Sequence, residues 1–267
     1  MKLAWLTDLH LDFLSDADVV QFSQRIVNAD IDGVVITGDI STSQKLVFHL
    51  GALEHIIQKP IYFTLGNHDY WGSSIKKVKD SLVELSRVSQ YLRYLSNASY
   101  IPLSKSTALI GNDGWYDAQY GSWTNSNFVM NDWHLIEDFK PSANNLARIV
   151  AISRNLATDS AKHIAENIKA ATRYHRNIVI ATHFPPFEQA HIFKGKIGDA
   201  AAQPWYTCKV IGDTIRAAAQ AYSNCEFIVL AGHTHGHFSG KIAKNITCHV
   251  GNAVYGQPQI ADIIELT

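Results

Sequence analysis

Five short stretches of the chain carry residues of types that bind cations. Asp8 and His10 stand in DLH at 8–10, Asp39 in GDI at 38–40, and Asn67, His68 and Asp69 in GNHD at 66–69. His183 follows in THFPP at 182–186, and AGHTHGH at 231–237 holds His233, His235 and His237. Carboxylate, imidazole and amide oxygen without thiolate suit borderline or hard ions such as manganese, iron or zinc, divalent or trivalent, rather than a structural cysteine–zinc cluster. Asp8, His10, Asp39, Asn67, His183, His233 and His235 are too many groups for one four-coordinate ion and about right for two. Glycine at 38, 66 and 232 stands just before three of these positions, where it lets the backbone turn sharply and approach an ion closely.

What must position these residues is a set of strands. Short apolar, β-branched runs occur at 3–6, 33–37, 60–65, 106–110, 177–182 and 226–231. Segments of helical period lie between them, the signature of a sheet covered by helices. Five of these runs end immediately before a cation-binding residue. Parallel strands aim their carboxyl ends at a common crevice, so the candidate ligands are expected to converge there. A single Asp after a strand is ordinarily a turn or cap, and a single His a structural residue; five strand ends carrying only metal-type side chains are not explained that way. The periodicity predicts helices over 17–29, 43–58, 73–90, 145–174 and 208–221, with Asp16 capping the first and Ser41 or Thr42 the second. From about residue 237 short segments separated by Asn and Gly predict antiparallel strands closing the domain. One domain is expected over 1–267. Its two irregular stretches, 111–144 and 184–207, are expected as substrate-loop insertions, since long irregular segments in compact domains are more often functional than accidental.

Composition narrows the setting. The 23 basic and 24 acidic residues nearly cancel to a net charge of −1, so net charge does not indicate nucleic acid or an anionic membrane as partner. The five-residue apolar run at the N-terminus, broken by Asp8, is too short for a signal-peptide core, and no run reaches the length of a membrane span. Cys208, Cys225 and Cys248 form no CxxC and are read as small buried hydrophobes. A cytoplasmic location is the resulting expectation. Neither GxGxxG after the first strand nor GxxxxGK[ST] anywhere supports a Rossmann or P-loop site.

DLH, GDI, GNHD, THFPP and GHTH resemble, in order and spacing, the motifs of the calcineurin-like metallophosphoesterases, and the resemblance spans 8 to 235. It implies an α/β fold, a four-layer α/β/β/α sandwich with two central mixed sheets, and two metal ions at the carboxyl ends of the strands. Asp8, His10 and His235 would hold one ion and Asn67, His183 and His233 the other, with Asp39 bridging. Such a bridge keeps two cations roughly 3.5–4 Å apart so that both grip one phosphate. His68 would stabilise charge or protonate the leaving oxygen, with Asp69 orienting it by a hydrogen bond. The implied reaction is in-line attack of a metal-bridging hydroxide on phosphorus.

Features that are missing narrow the substrate. The protein phosphatases of this superfamily carry arginines after the second and third motifs, where this chain reads GDISTSQ and GNHDYWG. His68 stands where the lipid-A-pathway pyrophosphohydrolases have Arg. Size and THFPP are most similar to the compact bacterial cyclic-nucleotide phosphodiesterases, although Phe184 replaces a second His often found there. The expected activity is that of a phosphodiesterase on small nucleotide or cyclic-nucleotide esters. The alternatives are a nuclease, a broad-specificity phosphomonoesterase and, opposed by the intact ligand positions, a non-catalytic binding scaffold. Trp115, Tyr116, Trp123 and Trp133 either stack a base over the metals or pack the 111–144 stretch onto the domain; Asp113 and Asp117 would repel an anion if they faced the site. His237, beyond Gly236, is expected near the site rim without a metal role.

Overall fold

Alternation along the strands builds the sandwich. In β1 (Lys2–Leu6), Leu3 and Trp5 point to one face and Ala4 and Leu6 to the other, and all four are buried. Leu3 and Trp5 join Val35, Tyr62, Leu109, Val179 and Leu230 in an apolar layer between two sheets. Ala4 and Leu6 belong instead to the larger core under the helices, with Val34, Ile36, Phe63, Ile178, Ile180 and Val229. Strands buried on both faces need continuous apolar runs, which explains GVVIT and NIVIA.

The computed structural model describes residues 1–266. In chain order the elements after β1 are α1 (Asp16–Val27), β2 (Gly33–Thr37), α2 (Leu46–Ile57), β3 (Ile61–Thr64), α3 (Ile75–Val88), β4 (Leu92–Tyr94), β5 (Ile101–Pro102) and β6 (Thr107–Gly111). Then come α4 (Asp132–Leu135), α5 (Leu146–Ala171), β7 (Asn177–Ala181), β8 (Ile192–Phe193), β9 (Lys196–Ile197), α6 (Gln203–Tyr206) and α7 (Lys209–Ala221). The chain closes with β10 (Glu226–Ala231), β11 (Phe238–Ala243), β12 (Ile246–Val250) and β13 (Asp262–Glu265). The first sheet has the order β13-β1-β2-β3-β4, and the second β11-β12-β10-β7-β6-β5. β1 to β4 run parallel, as do β6, β7, β10 and β12. β13, β11 and β5 are antiparallel, so both sheets are mixed, as the four-layer reading requires. No described helix is long and apolar enough to cross a membrane.

Several local expectations are corrected. Ser15, not Asp16, caps α1, in a capping box with Asp18. No side chain caps α2, which starts at Leu46; Ser41 Oγ instead bonds His49 Nδ1 at 2.8 Å. β12 pairs parallel to β10, because the chain passes β10, forms β11 at the sheet edge and returns between them. Only β11 with β12, and β13 with β1, make the antiparallel closing pairs that the C-terminal sequence predicts. The short strands β4 and β5 are too brief and broken by Arg93 and Pro102 to show a period.

Candidate dinuclear metal centre

The carboxyl ends of β1, β2, β3, β7 and β10 meet at one place, and hydrogen bonds between their loops lock them together. Asp8 N donates to Gly38 O, His10 N to Asp39 O, and Gly232 N to His183 O. Across the seam between the sheets His233 N donates to Asp8 Oδ1 at 2.9 Å. His183 Nδ1 lies 2.8 Å from Thr37 O. Because that carbonyl can only accept, Nδ1 carries a proton, and Nε2 is the nitrogen that a cation would take. His233 is reversed: its Nε2 donates to Trp205 O at 3.2 Å, leaving Nδ1 free.

Two donor groups result. Asp8, His10, Asp39 and His235 offer ligand atoms that lie within 4.8 Å of one another, and Asp39, His183 and His233 do the same. Asp39 is common to both. Asn67 Oδ1 joins the second group, 3.2 Å from His183 Nε2. Each group draws on both sheets, since Asp8, His10, Asp39 and Asn67 follow strands of the first and His183, His233 and His235 follow strands of the second.

The arrangement fits divalent cations on its own chemistry. His10 Nε2 and His235 Nε2 stand only 3.1 Å apart. Asp8 and Asp39 are buried, and among the described residues their ion-pair partners are imidazoles alone, with no lysine or arginine to balance them. Buried carboxylates without fixed cations are costly unless a metal completes the site. Burial opposes ionisation of Asp39, but the neighbouring His183 and His68 hold its carboxyl well below the usual carboxylate range. Burial likewise works against Asp8, and the His235 hydrogen bond reverses it and lowers its pKa. His183, pulled down by burial and up more strongly by Asp39, reaches about 9, so loading a cation there displaces a proton. Burial lowers His68 to about 4, leaving a neutral imidazole at neutral pH.

The backbone is strained where the ligands stand. Asp8, His10, Asp39, His233 and His235 all have positive φ, from 43° to 69°. Such left-handed non-glycine residues cost of order 1–3 kcal/mol each and persist where the surroundings over-determine them. The glycines have a related task. A Cβ at Gly66 would fall on Asp39 Oδ1, and one at Gly232 on Thr7 Oγ1 and Asp8 Oδ2. They make room for the ligand side chains themselves.

Other predicted residues land differently. His68 lines the cavity above the two groups, with Nε2 3.9 Å from Asp39 Oδ2. Asp69 does not reach it: Oδ1 accepts from Ile40 N and Ser41 N, and Oδ2 from Gly66 N. With its oxygens turned to the backbone, Asp69 binds the GDI loop to the GNHD loop, and the His68 ring is oriented by stacking on Trp71, centroids 3.5 Å apart. Trp115, Tyr116 and Trp133 are core residues, with Trp123 half-buried at its margin, and none of the four lines the cavity. Asp113 faces inward to Leu65 N, Tyr70 Oη, Tyr94 Oη and Ser96 Oγ. Asp117 accepts from Val210 N at the start of α7. Neither acid lines the cavity. His237 is exposed just before β11, belongs to neither donor group and does not line the cavity.

Three residues escape sequence reasoning. Asp132, buried in α4, accepts from Asn67 Nδ2 at 2.9 Å and from Trp71 Nε1 at 2.8 Å, both on Oδ1. Trp71 carries a weak signal, its adjacency to GNHDY. Tyr255 carries none, yet its ring sits 4.4 Å from His10 and 4.9 Å from His235.

The sequence profile of the calcineurin-like phosphoesterases matches residues 1–237. The chain belongs to that family. Its fold is shared with solved members of wide divergence. Phosphopantetheinyl hydrolase from Mycobacterium tuberculosis superposes with a TM-score of 0.65 at 13% identity, over 95% of this chain and 89% of that one. A dimetal phosphatase from Danio rerio gives 0.57 at 12% identity, over 94% and 87%. GAP50, the anchor in the inner membrane complex of Plasmodium, gives 0.51 at 10%, over 98% and 76%. Identities this low speak for the fold alone. A comparison with curated proteins finds no match. Family and donor set together make this calcineurin-like chain a metal-dependent phosphoesterase with a candidate site for divalent ions.

Proposed function

We propose that this phosphoesterase is a phosphodiesterase acting on small nucleotide or cyclic-nucleotide esters, with Asp8, His10 and His235 holding one ion, Asn67, His183 and His233 the other, and Asp39 both. The observation that carries the diester preference is the make-up of the cavity. It encloses about 190 Å³ and is lined by Asp39, Asn67, His68, Trp71, Val129, Met130, Asn131, Asp132, Tyr206, His233, His235 and Tyr255. No lysine or arginine is among them. A phosphomonoester dianion calls for such a clamp, whereas a diester carries one charge and needs less.

When bound, the two cations supply Lewis acidity to the phosphoryl oxygens and acidify a water held beside them. The chain's own residues do the rest. Asp39 keeps the two donor groups in register, and Asn67 presents its oxygen because Asp132 holds its amide nitrogen. His68 Nε2 faces the cavity, where it donates a hydrogen bond to the ester oxygen as charge develops there. Trp71 covers the rear of the His68 ring and keeps water from it. Val129 and Met130 bring part of the 111–144 stretch to the mouth, in keeping with a substrate loop. Three buried free thiols, Cys208, Cys225 and Cys248, favour a reducing, cytoplasmic setting.

The test is a metal-reconstituted screen of bis-aryl phosphate, aryl monophosphate, cyclic nucleotides and DNA by kcat/KM. Diesters or cyclic nucleotides should lead. A monoester preference beyond about a hundredfold, ~2.7 kcal/mol of transition-state binding, overturns the diesterase reading.

A further inference from the structure

The loop 251–261 leaves the second sheet at β12 and enters the first at β13, so it straps the two together near the metal ligands. Its ends are tied to strand backbone, Gly251 N to Ala231 O and Ala261 N to Trp5 O. Its middle is held by Arg25, whose guanidinium donates to Pro258 O at 3.0 Å. Tyr255 rides on this strap. One part of its ring packs against His10 and His235, as described, and Phe13 flanks it at 5.1 Å. The rest is open, with the residue 48% exposed.

Three facts about the cavity mouth point the same way. Its walls include Tyr255 from the strap and Val129 from the 111–144 stretch, the latter 67% exposed. Phe13 and Val254 beside Tyr255 are exposed as well, so apolar surface continues outward from the mouth. Exposed apolar surface gathered at a polar cavity that no lysine or arginine lines is a mark of ligand contact. The enclosed space of about 190 Å³ also falls below the roughly 300–1,000 Å³ typical of pockets that engulf a whole ligand. It accommodates the phosphoryl centre and sends the rest of the substrate out past Tyr255 and Val129.

We infer that Tyr255, with Val129, forms a subsite for a flat, uncharged aromatic ring carried by the phosphoester substrate. This rests on the cavity being a phosphoester site and names the part of the substrate that the metal centre leaves unread. An aromatic ring stacks on the open part of the Tyr255 ring and covers Val129, removing apolar area from water. An anionic or strongly polar substituent finds no partner there. The stacking surface that the 111–144 tryptophans do not bring to the cavity is thereby supplied from the far end of the chain.

The test uses calorimetric titration of the metal-loaded protein with phenylphosphonate and methylphosphonate, whose P–C bonds resist hydrolysis, at a mildly acidic pH where both are largely monoanions, the charge of a diester. Phenylphosphonate should bind the unaltered protein at least about fivefold more tightly, the range of one aromatic contact. Tyr255→Ala should bring the two ligands within about twofold of each other, and Tyr255→Phe should keep the preference. Equal binding by the unaltered protein, a preference that survives Tyr255→Ala, or its loss in Tyr255→Phe would overturn the subsite. Methylphosphonate reports the phosphate-binding centre alone: if it fails to bind, the underlying phosphoester reading falls too, whereas methylphosphonate binding without a ring preference removes only the subsite. Neither titration depends on turnover.

Discussion

Asp132 Oδ1 accepts a hydrogen bond from Asn67 Nδ2 at 2.9 Å, which turns the amide so that its oxygen faces His183. A carboxylate in the 111–144 stretch thus sets which atom of a GNHD residue would be offered to a cation under the proposed ligand set. Partners of this kind commonly contribute 10- to 100-fold to metal affinity. Asp132→Ala should weaken one of two bound manganese equivalents by about that factor, read by titration calorimetry and by metal content after dialysis. Two equivalents retained at unaltered affinity would remove Asp132 from this role. Because Trp71 loses the same partner, its fluorescence should shift in the metal-free protein as well.

Gly66 tests how closely the loops approach. A methyl group there meets Asp39 Oδ1, and overpacking of this kind costs about 1–3 kcal/mol. Gly66→Ala should lower stability by that amount in denaturant unfolding and displace the carboxylate shared by both donor groups. Metal content should fall for both equivalents together. Selective loss of one would contradict the shared position of Asp39.

Asp39 and His68 separate binding from turnover. Asp39→Asn should abolish hydrolysis and lose metal. His68→Ala should keep both metals and lose about 10²–10⁴-fold in kcat, the usual span for a proton-handling side chain. His237→Ala should change neither, in line with its exposed place before β11. Metal analysis beside single-substrate kinetics on the three variants is sufficient.

His191 gives a pH signature away from the metals. It is buried and stacked on Tyr206, ring centroids 4.9 Å apart, and burial lowers its pKa below the ordinary value. The unfolded chain therefore binds this proton more readily than the folded one as pH falls. Stability is fully present above about pH 6.5, the unfolded value, and is lost as pH drops from there through the folded pKa. His191→Phe keeps the ring and removes the titration. Its Tm should fall less than that of the parent between neutral and mildly acidic pH; parallel curves would show that His191 takes no part.

Much of this was legible in the residues, for a definite reason. Strands buried on both faces must be written as apolar runs, and a left-handed ligand directly after a run stands out because Asp8, Asp39 and His233 interrupt otherwise hydrophobic text. What stayed hidden was long-range. Nothing near Asp132 announces that α4 will deliver it to Asn67, 65 positions away. Tyr255 looks like an ordinary turn residue until β13 carries the chain back to β1. Asp69 misleads for the opposite reason: adjacency to His68 suggests a bond, but the three backbone donors of Ile40, Ser41 and Gly66 are better placed. For the tryptophans of 111–144 the sequence leaves stacking and packing both open, because their polar neighbours suggest a surface loop; Trp133 Nε1 finds Tyr116 Oη 3.1 Å away inside the core.

The division of each donor group between the two sheets would make bound ions rivets across a seam. Only the folded sandwich brings Asp39 and His233 together, so cation binding is spent on the folded form, and a hundredfold excess over Kd adds about 2.7 kcal/mol. Heat resistance becomes a gauge of occupancy. A preparation passed through chelator would soften at the join between the sheets, and its melting curve would report how many rivets remain.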